Sequence, residues 1–218
     1  MEDTEDYYFQ NRVKNFRDII SYRDAFRIGC KDFTGKRVLL VGGGVSPLTS
    51  SLKFNGIKDF AITNVDPYAE PVDAPDQILI SEKFSDHKIN ENGYDMVLSL
   101  FSLPLYAKTP TEAMDFYARS VYGTAGGGSV RVFPIDNMTF RRQRNFVREF
   151  APNLDERAME QVYGEFIAKL REVCPDIKTQ TFIPKDDPHE NKAYLSRSGI
   201  IHMPESKGQI NRFCEKIL

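Results

Sequence analysis

The sequence predicts an α/β protein, with a doubly wound, mostly parallel sheet of seven strands, helices on both faces and an antiparallel strand pair at its C-terminal end. Three observations lead to this prediction. Short runs rich in Val, Ile and Leu alternate along the chain with segments of helical periodicity. The first of these runs ends in three glycines, and the second ends in an aspartate. The last two strand-like segments are joined by a polar loop that no helix fits, so they should pair antiparallel.

The first helix is predicted from apolar residues at helical spacing, namely Phe9, Val13, Phe16 and Ile20. We expect this helix to belong to an N-terminal helical extension over about residues 7–30, packed on the sheet edge or over its binding face. The whole chain, 1–218, is expected to be one domain, because its length and apolar content are sufficient for one sizeable core.

The glycines that end the first predicted strand are the strongest local feature of the sequence. Residues 38–41 are uniformly apolar, which is typical of a buried parallel strand. Gly42, Gly43 and Gly44 follow directly. Because they lack a Cβ atom, the backbone can turn tightly there and another group can come very close. A helix is predicted over about 47–54, so the pattern is strand, glycine turn and helix.

A carboxylate ends the second predicted strand. Residues 60–65 lead into Asp66 and Pro67, and Asp66 follows the last glycine by about 20 residues, the spacing expected of a ribose-binding acid. The carboxyl ends of parallel strands meet at one edge of the sheet, where ligands of open α/β sheets bind. Singly, the glycines can be only a tight turn and the aspartate only a cap. Together, and in this order, they favour a cofactor of the nucleotide type.

Two further strand ends are predicted to reach the same edge. A strand over 78–80 is followed by Phe84, whose ring either stacks on a flat base or plugs the core. A strand over 96–100 contains Ser99 and Leu100 at its end, and the loop after it is unusually apolar. This loop forms either a pocket wall or a seal on the core. His87 lies in a polar loop and is interpreted as a solvated side chain.

The second half of the chain is predicted from helix caps and apolar stripes. The predicted elements are helices that begin at Thr109 and Asn153, a strand over 129–135, the antiparallel pair 177–183 and 194–203, and a terminal helix or tail over 206–218. A second glycine cluster, 126–128, precedes its strand instead of following it. We therefore predict a turn at the opposite edge, with no role in ligand binding.

Composition narrows the classes of function. The net charge of −2 provides no basic field for nucleic acid. Three scattered cysteines lack metal-site spacing, so no metal site is predicted, and they suit a reducing compartment. The acidic N-terminus has no apolar signal region, and no apolar run is long enough to cross a membrane. The expectation is a soluble cytoplasmic protein with no membrane partner.

The order of elements and the glycine turn resemble the class I S-adenosylmethionine-dependent methyltransferases. The run VLLVGGGVSPLTSSL is similar to their first motif, in which hydrophobic residues and an acid precede G-x-G-x-G, and Gly42 and Gly44 match its first two glycines. The run YDMVL at 94–98 resembles their fourth-strand motif, and a final antiparallel pair beside the fifth strand is also typical of them. The resemblance covers roughly residues 36–135.

This resemblance implies S-adenosylmethionine as cofactor and S-adenosylhomocysteine as its product. The turn would pass under the methionine part, Asp66 would hold the ribose, and Phe84 or its neighbours would cover the adenine. The implied cofactor-binding residues are Gly42, Gly43, Gly44, Asp66, Pro67, Phe84, Ser99 and Leu100. Such enzymes need no fixed catalytic triad, so no catalytic residue is assigned. The expected acceptor is a small molecule or a protein side chain, because no Asn-Pro-Pro-Tyr run follows the fourth strand.

Two departures from the family pattern keep alternatives open. Leu40 stands where the family commonly has an acid that helps to bind the methionine end, and Ser46 replaces the third glycine. One alternative is a non-catalytic interaction protein that kept the fold. The other is a nicotinamide-dependent oxidoreductase, favoured by the GxG and acid spacing but disfavoured by the short C-terminal region.

Overall fold

The computed structural model describes residues 19–44, 46–67, 77–100, 102–104, 107, 109–135, 156–184 and 197–218. Within these ranges the strands are β1 Lys36–Val41, β2 Phe60–Val65, β3 Gln77–Ile80, β4 Tyr94–Leu100, β5 Thr124–Phe133, β6 Lys178–Phe182 and β7 Ser198–His202. The helices are α1 Ile19–Phe26, α2 Leu48–Phe54, α3 Pro110–Gly123, α4 Glu156–Val173 and α5 Gly208–Glu215, with a 3₁₀ helix at Cys30–Phe33. None of these described helices is both long and apolar enough to cross a bilayer.

The seven strands form one mixed sheet in the order β3-β2-β1-β4-β5-β7-β6. Strands β1 to β5 pair in parallel, whereas β7 is antiparallel to both β5 and β6. The predicted antiparallel pairing of the last two strands is therefore confirmed, with β7 inserted between β5 and β6. In the central register, Leu40 lies opposite Asn64 on one side and Leu98 on the other. β1, β2 and β4 thus end at nearly the same level.

The sheet separates two hydrophobic cores, because successive side chains of a strand point to opposite faces. In β1, Val38 and Leu40 belong to one core and Leu39 and Val41 to the other, and all four are buried. The first core contains α1, the 3₁₀ helix and α2. The second contains α3, α4 and α5. This arrangement confirms an α/β fold with helices on both faces.

Helix α3 begins and ends with side-chain contacts to its backbone. The Oγ1 atom of Thr109 accepts a hydrogen bond from the backbone N–H of Glu112 at 3.2 Å, which confirms the predicted N-cap. At the other end, the buried Lys207 donates from Nζ to the carbonyl of Val121 at 2.7 Å and to that of Thr124. Burial lowers the pKa of Lys207 to about 8.

Three sequence predictions need correction or lie outside the described ranges. The second glycine cluster is inside β5 instead of before it, at a bulge where Gly127 has a φ of +72°. Ile20 is 52% exposed, because α1 buries Tyr22, Ala25 and Phe26 instead. The other predicted apolar positions of the first helix and the cap at Asn153 lie outside the described residues.

Candidate functional site

The turn after β1 needs glycine at two positions. Gly42 and Gly44 have φ values of +62° and +57°, in the left-handed region that costs other L-residues about 1–2 kcal/mol. The backbone N–H of Gly42 still donates to the carbonyl of Val65 at 2.8 Å, so the turn begins where β1 leaves its last contact with β2. The turn therefore lies at the carboxyl edge, as predicted.

Two side chains of the β2 end hold the turn from the side. The Asp66 carboxylate accepts a hydrogen bond from the Gly44 N–H at 2.8 Å, and Asp66 is 8% exposed. Asn64 is fully buried; its Oδ1 accepts from the Gly43 N–H at 3.1 Å, and its Nδ2 donates to the Gly44 carbonyl at 2.9 Å. The predicted neighbours Gly44 and Asp66 are thus in direct contact.

Sequence reasoning missed Asn64, although a signal was present. Asn64 is an amide near the end of a predicted buried strand, and it precedes Asp66 by two positions. Residues two apart on a strand share a face. The assignment of Asp66 to the turn could therefore have been extended to Asn64.

The space left by the three glycines is used in different ways. A Cβ atom on Gly42 would lie 1.6 Å from Oγ and 2.6 Å from Cβ of Ser102, and one on Gly43 would lie 2.4 Å from Oδ1 of Asn64. A Cβ atom on Gly44 would meet no described atom within 4 Å. Gly42 and Gly43 are therefore required by the packing of the protein's own side chains. Among the described residues, no neighbour fills the corresponding space at Gly44.

The described part of the loop after β4 closes over the turn. Ser99 is fully buried and donates from Oγ to the carbonyl of Leu103, which fixes the loop close to the strand end. This places Ser102 against Gly42, with only 7% of Ser102 exposed. The Ser102 hydroxyl makes no hydrogen bond with any residue in the described part of the chain.

Two of the implied cofactor-binding residues, Phe84 and Leu100, are buried in the structure. Phe84 is 3% exposed and packs edge-on against Phe116, with ring centroids 5.8 Å apart. It is a core plug and presents no open face for an adenine. Leu100 is 2% exposed, and its side chain belongs to the core on the α1 side. Pro67 is exposed beside Asp66 at the edge.

The two residues that depart from the family pattern are both buried. Leu40 is fully buried in the core that contains α1 and α2. Ser46 is 1% exposed, and its Oγ accepts from the Leu48 N–H at 3.4 Å at the start of α2. Leu40 therefore contributes to packing, and Ser46 helps to begin the helix.

His87, interpreted from the sequence as solvated, is instead 9% exposed. Its Nδ1 lies 2.7 Å from Oε1 of Glu82, just beyond the carboxyl end of β3. Among the described residues, no group of three or more His, Cys, Asp or Glu side chains is arranged to hold a metal ion.

Comparison of the sequence with protein-family models finds no matching family, and comparison with curated proteins finds no match. The solved structures do provide similar folds. The N-methyltransferase NodS from Bradyrhizobium japonicum has a TM-score of 0.57 at 10% identity, over 94% of this chain and 100% of that chain. A SAM-dependent methyltransferase from Methanosarcina mazei has a TM-score of 0.52 at 10% identity, over 81% of this chain and 97% of that chain.

A third structure contains a bound nucleoside. Phosphoethanolamine N-methyltransferase 1 from Haemonchus contortus, in complex with phosphoethanolamine and S-adenosylhomocysteine, has a TM-score of 0.59 at 12% identity. The match covers 95% of this chain and 47% of that chain. At these identities the likeness establishes the fold, which is that of the S-adenosylmethionine-dependent methyltransferases.

Proposed function

We propose that this chain, which has the fold of the S-adenosylmethionine-dependent methyltransferases, binds that cofactor beside Gly44 and Asp66 and transfers its methyl group to a small molecule or a protein side chain. The observation that carries this proposal is the 2.8 Å hydrogen bond from the Gly44 N–H to the Asp66 carboxylate. It joins the open position of the turn to an acid at the edge where open α/β sheets bind ligands.

The residues at this point suit the ribose of the cofactor. A carboxylate has about four acceptor directions, so Asp66 holds the turn and also receives ribose hydroxyls. Gly44 provides room beside the carboxylate, since no described atom lies within 4 Å of where its Cβ would be. Asn64 keeps the turn in place by bonding to Gly43 and Gly44.

The bound cofactor supplies an activated methyl group on its sulfonium. The contribution of the protein is alignment of the acceptor and exclusion of water. In the described chain, Ser102 of the loop 102–104 stands beside the turn, and the Ser99 hydrogen bond to the Leu103 carbonyl holds this loop at the strand end.

A non-catalytic protein with this fold is the second candidate, and Leu40 favours it. The side chain is apolar and fully buried at the position where the family commonly has an acid for the methionine end. A chain without that acid can keep the nucleoside site and lose transfer. Both candidates predict nucleoside binding, and only the methyltransferase predicts catalytic turnover.

Isothermal titration calorimetry with S-adenosylmethionine and S-adenosylhomocysteine tests the binding step. We expect saturable binding in the wild type and at least a tenfold weaker affinity in Asp66→Asn, a loss of about 1.4 kcal/mol, because the amide is a poorer acceptor for ribose hydroxyls. Asp59→Asn is the matched control, since Asp59 is exposed just before the other end of β2. Its affinity should equal that of the wild type.

Two results would count against the proposal. Absence of heat at high micromolar ligand, with a folded protein by circular dichroism, removes the cofactor assignment. Binding without any release of S-adenosylhomocysteine from S-adenosylmethionine, across a panel of small-molecule and peptide acceptors, selects the non-catalytic candidate. Enhancement of NADH fluorescence would instead support the oxidoreductase.

A further inference from the structure

The polar groups of this site lie on one side of the turn. Asp66 and Asn64 both belong to the β2 end, and both make hydrogen bonds to the turn. The open position, Gly44, faces the same side through its bond to Asp66. A ligand that approaches here meets a carboxylate and exposed backbone, which suit the hydroxyls of a sugar.

The other side of the turn is covered by the protein itself. Oγ of Ser102 lies 1.6 Å, and its Cβ 2.6 Å, from where a Cβ of Gly42 would be. Ser102 therefore fills the space on the Cβ side of Gly42.

The methionine end of S-adenosylmethionine has both an ammonium and a carboxylate. Taking such charges out of water is unfavourable unless partners with hydrogen bonds replace the solvent. The described ends of β1 and β4, residues 40–44 and 98–104 without 101, contain no charged side chain. They supply one unbonded hydroxyl, that of Ser102.

From this asymmetry we infer that the site recognises the nucleoside and leaves the amino-acid end of its ligand largely in water. With the adenine of the proposed cofactor as the base, the ligand class is then the 5′-substituted adenosines in general, and the amino-acid tail adds little affinity. This inference rests on the proposed function, because it concerns the same Gly44–Asp66 site.

Calorimetry with three probes tests it on the wild-type protein: S-adenosylhomocysteine, 5′-methylthioadenosine and adenosine. We expect their Kd values to agree within about fivefold, since all three carry the same ribose and base. If S-adenosylhomocysteine binds and the other two are weaker by about 100-fold or more, the inference is overturned and the proposed function stands. If none of the three binds, the proposed function fails, and the inference fails with it.

The Asp66→Asn variant provides an independent readout. If the nucleoside carries the affinity, the substitution weakens all three probes by the same factor, to within about twofold, and Asp59→Asn weakens none. If adenosine loses tenfold or more while S-adenosylhomocysteine loses less than threefold, the amino-acid end is held by the protein, and the inference is wrong. Circular dichroism and a thermal unfolding curve for each variant show that the comparison is made on folded protein.

Discussion

At the scale of single residues, Asn64 is an amide in a buried strand position, and it holds the glycine turn by hydrogen bonds. It is fully buried, yet both ends of its side chain are hydrogen-bonded, one to the Gly43 N–H and the other to the Gly44 carbonyl. Buried polar groups are tolerated when they are paired in this way. The Asn64 amide therefore fixes the backbone at Gly43 and Gly44, which lies beyond the end of β1.

Replacing this amide by a side chain of similar size tests its role. Asn64→Leu should lower the free energy of unfolding by about 2–4 kcal/mol, because it leaves the buried N–H of Gly43 and the partly buried C=O of Gly44 without their partner. Urea unfolding at neutral pH measures the loss. Asn90→Leu, at an exposed loop position, is the control and should change stability by less than about 0.5 kcal/mol. Equal losses in the two variants would contradict the role given to Asn64.

At the scale of elements, β1 is tied to a neighbouring strand at each end. At its carboxyl end the turn is held by β2, as described above. At its amino end, Asp95 of β4 accepts from the Arg37 backbone N–H at 2.8 Å and from Arg37 Nε at 3.2 Å. Burial alone would raise the pKa of Asp95, but the hydrogen bonds and the charge of Arg37 outweigh it, so the pKa lies below its ordinary value.

This lowered pKa predicts how the pair responds to acid. A carboxyl group whose pKa is lower in the folded state stabilises the fold above its unfolded pKa, and that stabilisation is lost as pH falls through the folded pKa. Asp95→Asn should therefore lower the free energy of unfolding by about 1 kcal/mol at pH 7. The loss is small because a partly exposed ion pair contributes little to stability. The difference in urea midpoint between the two proteins should shrink as pH falls below 3.8, the ordinary pKa of the carboxyl group, and disappear once Asp95 is protonated in the folded protein. A difference that stays constant throughout the acid titration would contradict this ion-pair account.

At the scale of the whole molecule, the strand order places β1 and β4 at the centre and β3 and β6 at the two edges. Residues 96–100 of β4 are all buried, whereas Ile78 of the edge strand β3 is 62% exposed. Local opening needs the least free energy where few apolar contacts and only one neighbouring strand must be given up. Stability should therefore fall from the centre of the sheet towards β3.

Hydrogen exchange followed by mass spectrometry checks this gradient. Peptides that cover 94–100 should exchange at least about 100-fold more slowly than peptides that cover 77–80, after correction for intrinsic rates. If the edge strand were as protected as β4, the β3 edge would have to be covered by another part of the chain or by a second molecule. Repeating the measurement at tenfold lower protein concentration separates those two cases.

Much of the fold and part of the site were predictable from the sequence. Four features were predicted correctly: the glycine turn, the acid at the end of β2, the cap at Thr109 and the final antiparallel pair. Each depends on residues close in sequence or on the order of the strands. Sequence pattern left the role of Phe84 open and wrongly placed His87 in solvent, because each has a local sequence that fits a surface loop as well as a core. Their burial depends on contacts with residues elsewhere in the chain, such as Phe116 for Phe84.

By itself the sequence determined the succession of strands and helices and the place of the glycine turn after β1, because backbone preference and hydrophobic period are local properties. Only the tertiary structure decided what fills the space beside those glycines. Ser102 covers Gly42, Asn64 covers Gly43, and no described residue covers Gly44 beside Asp66. The physical reason is that the space beside a glycine is filled by atoms that the fold brings from other parts of the chain. No local sequence pattern encodes the distance to those atoms.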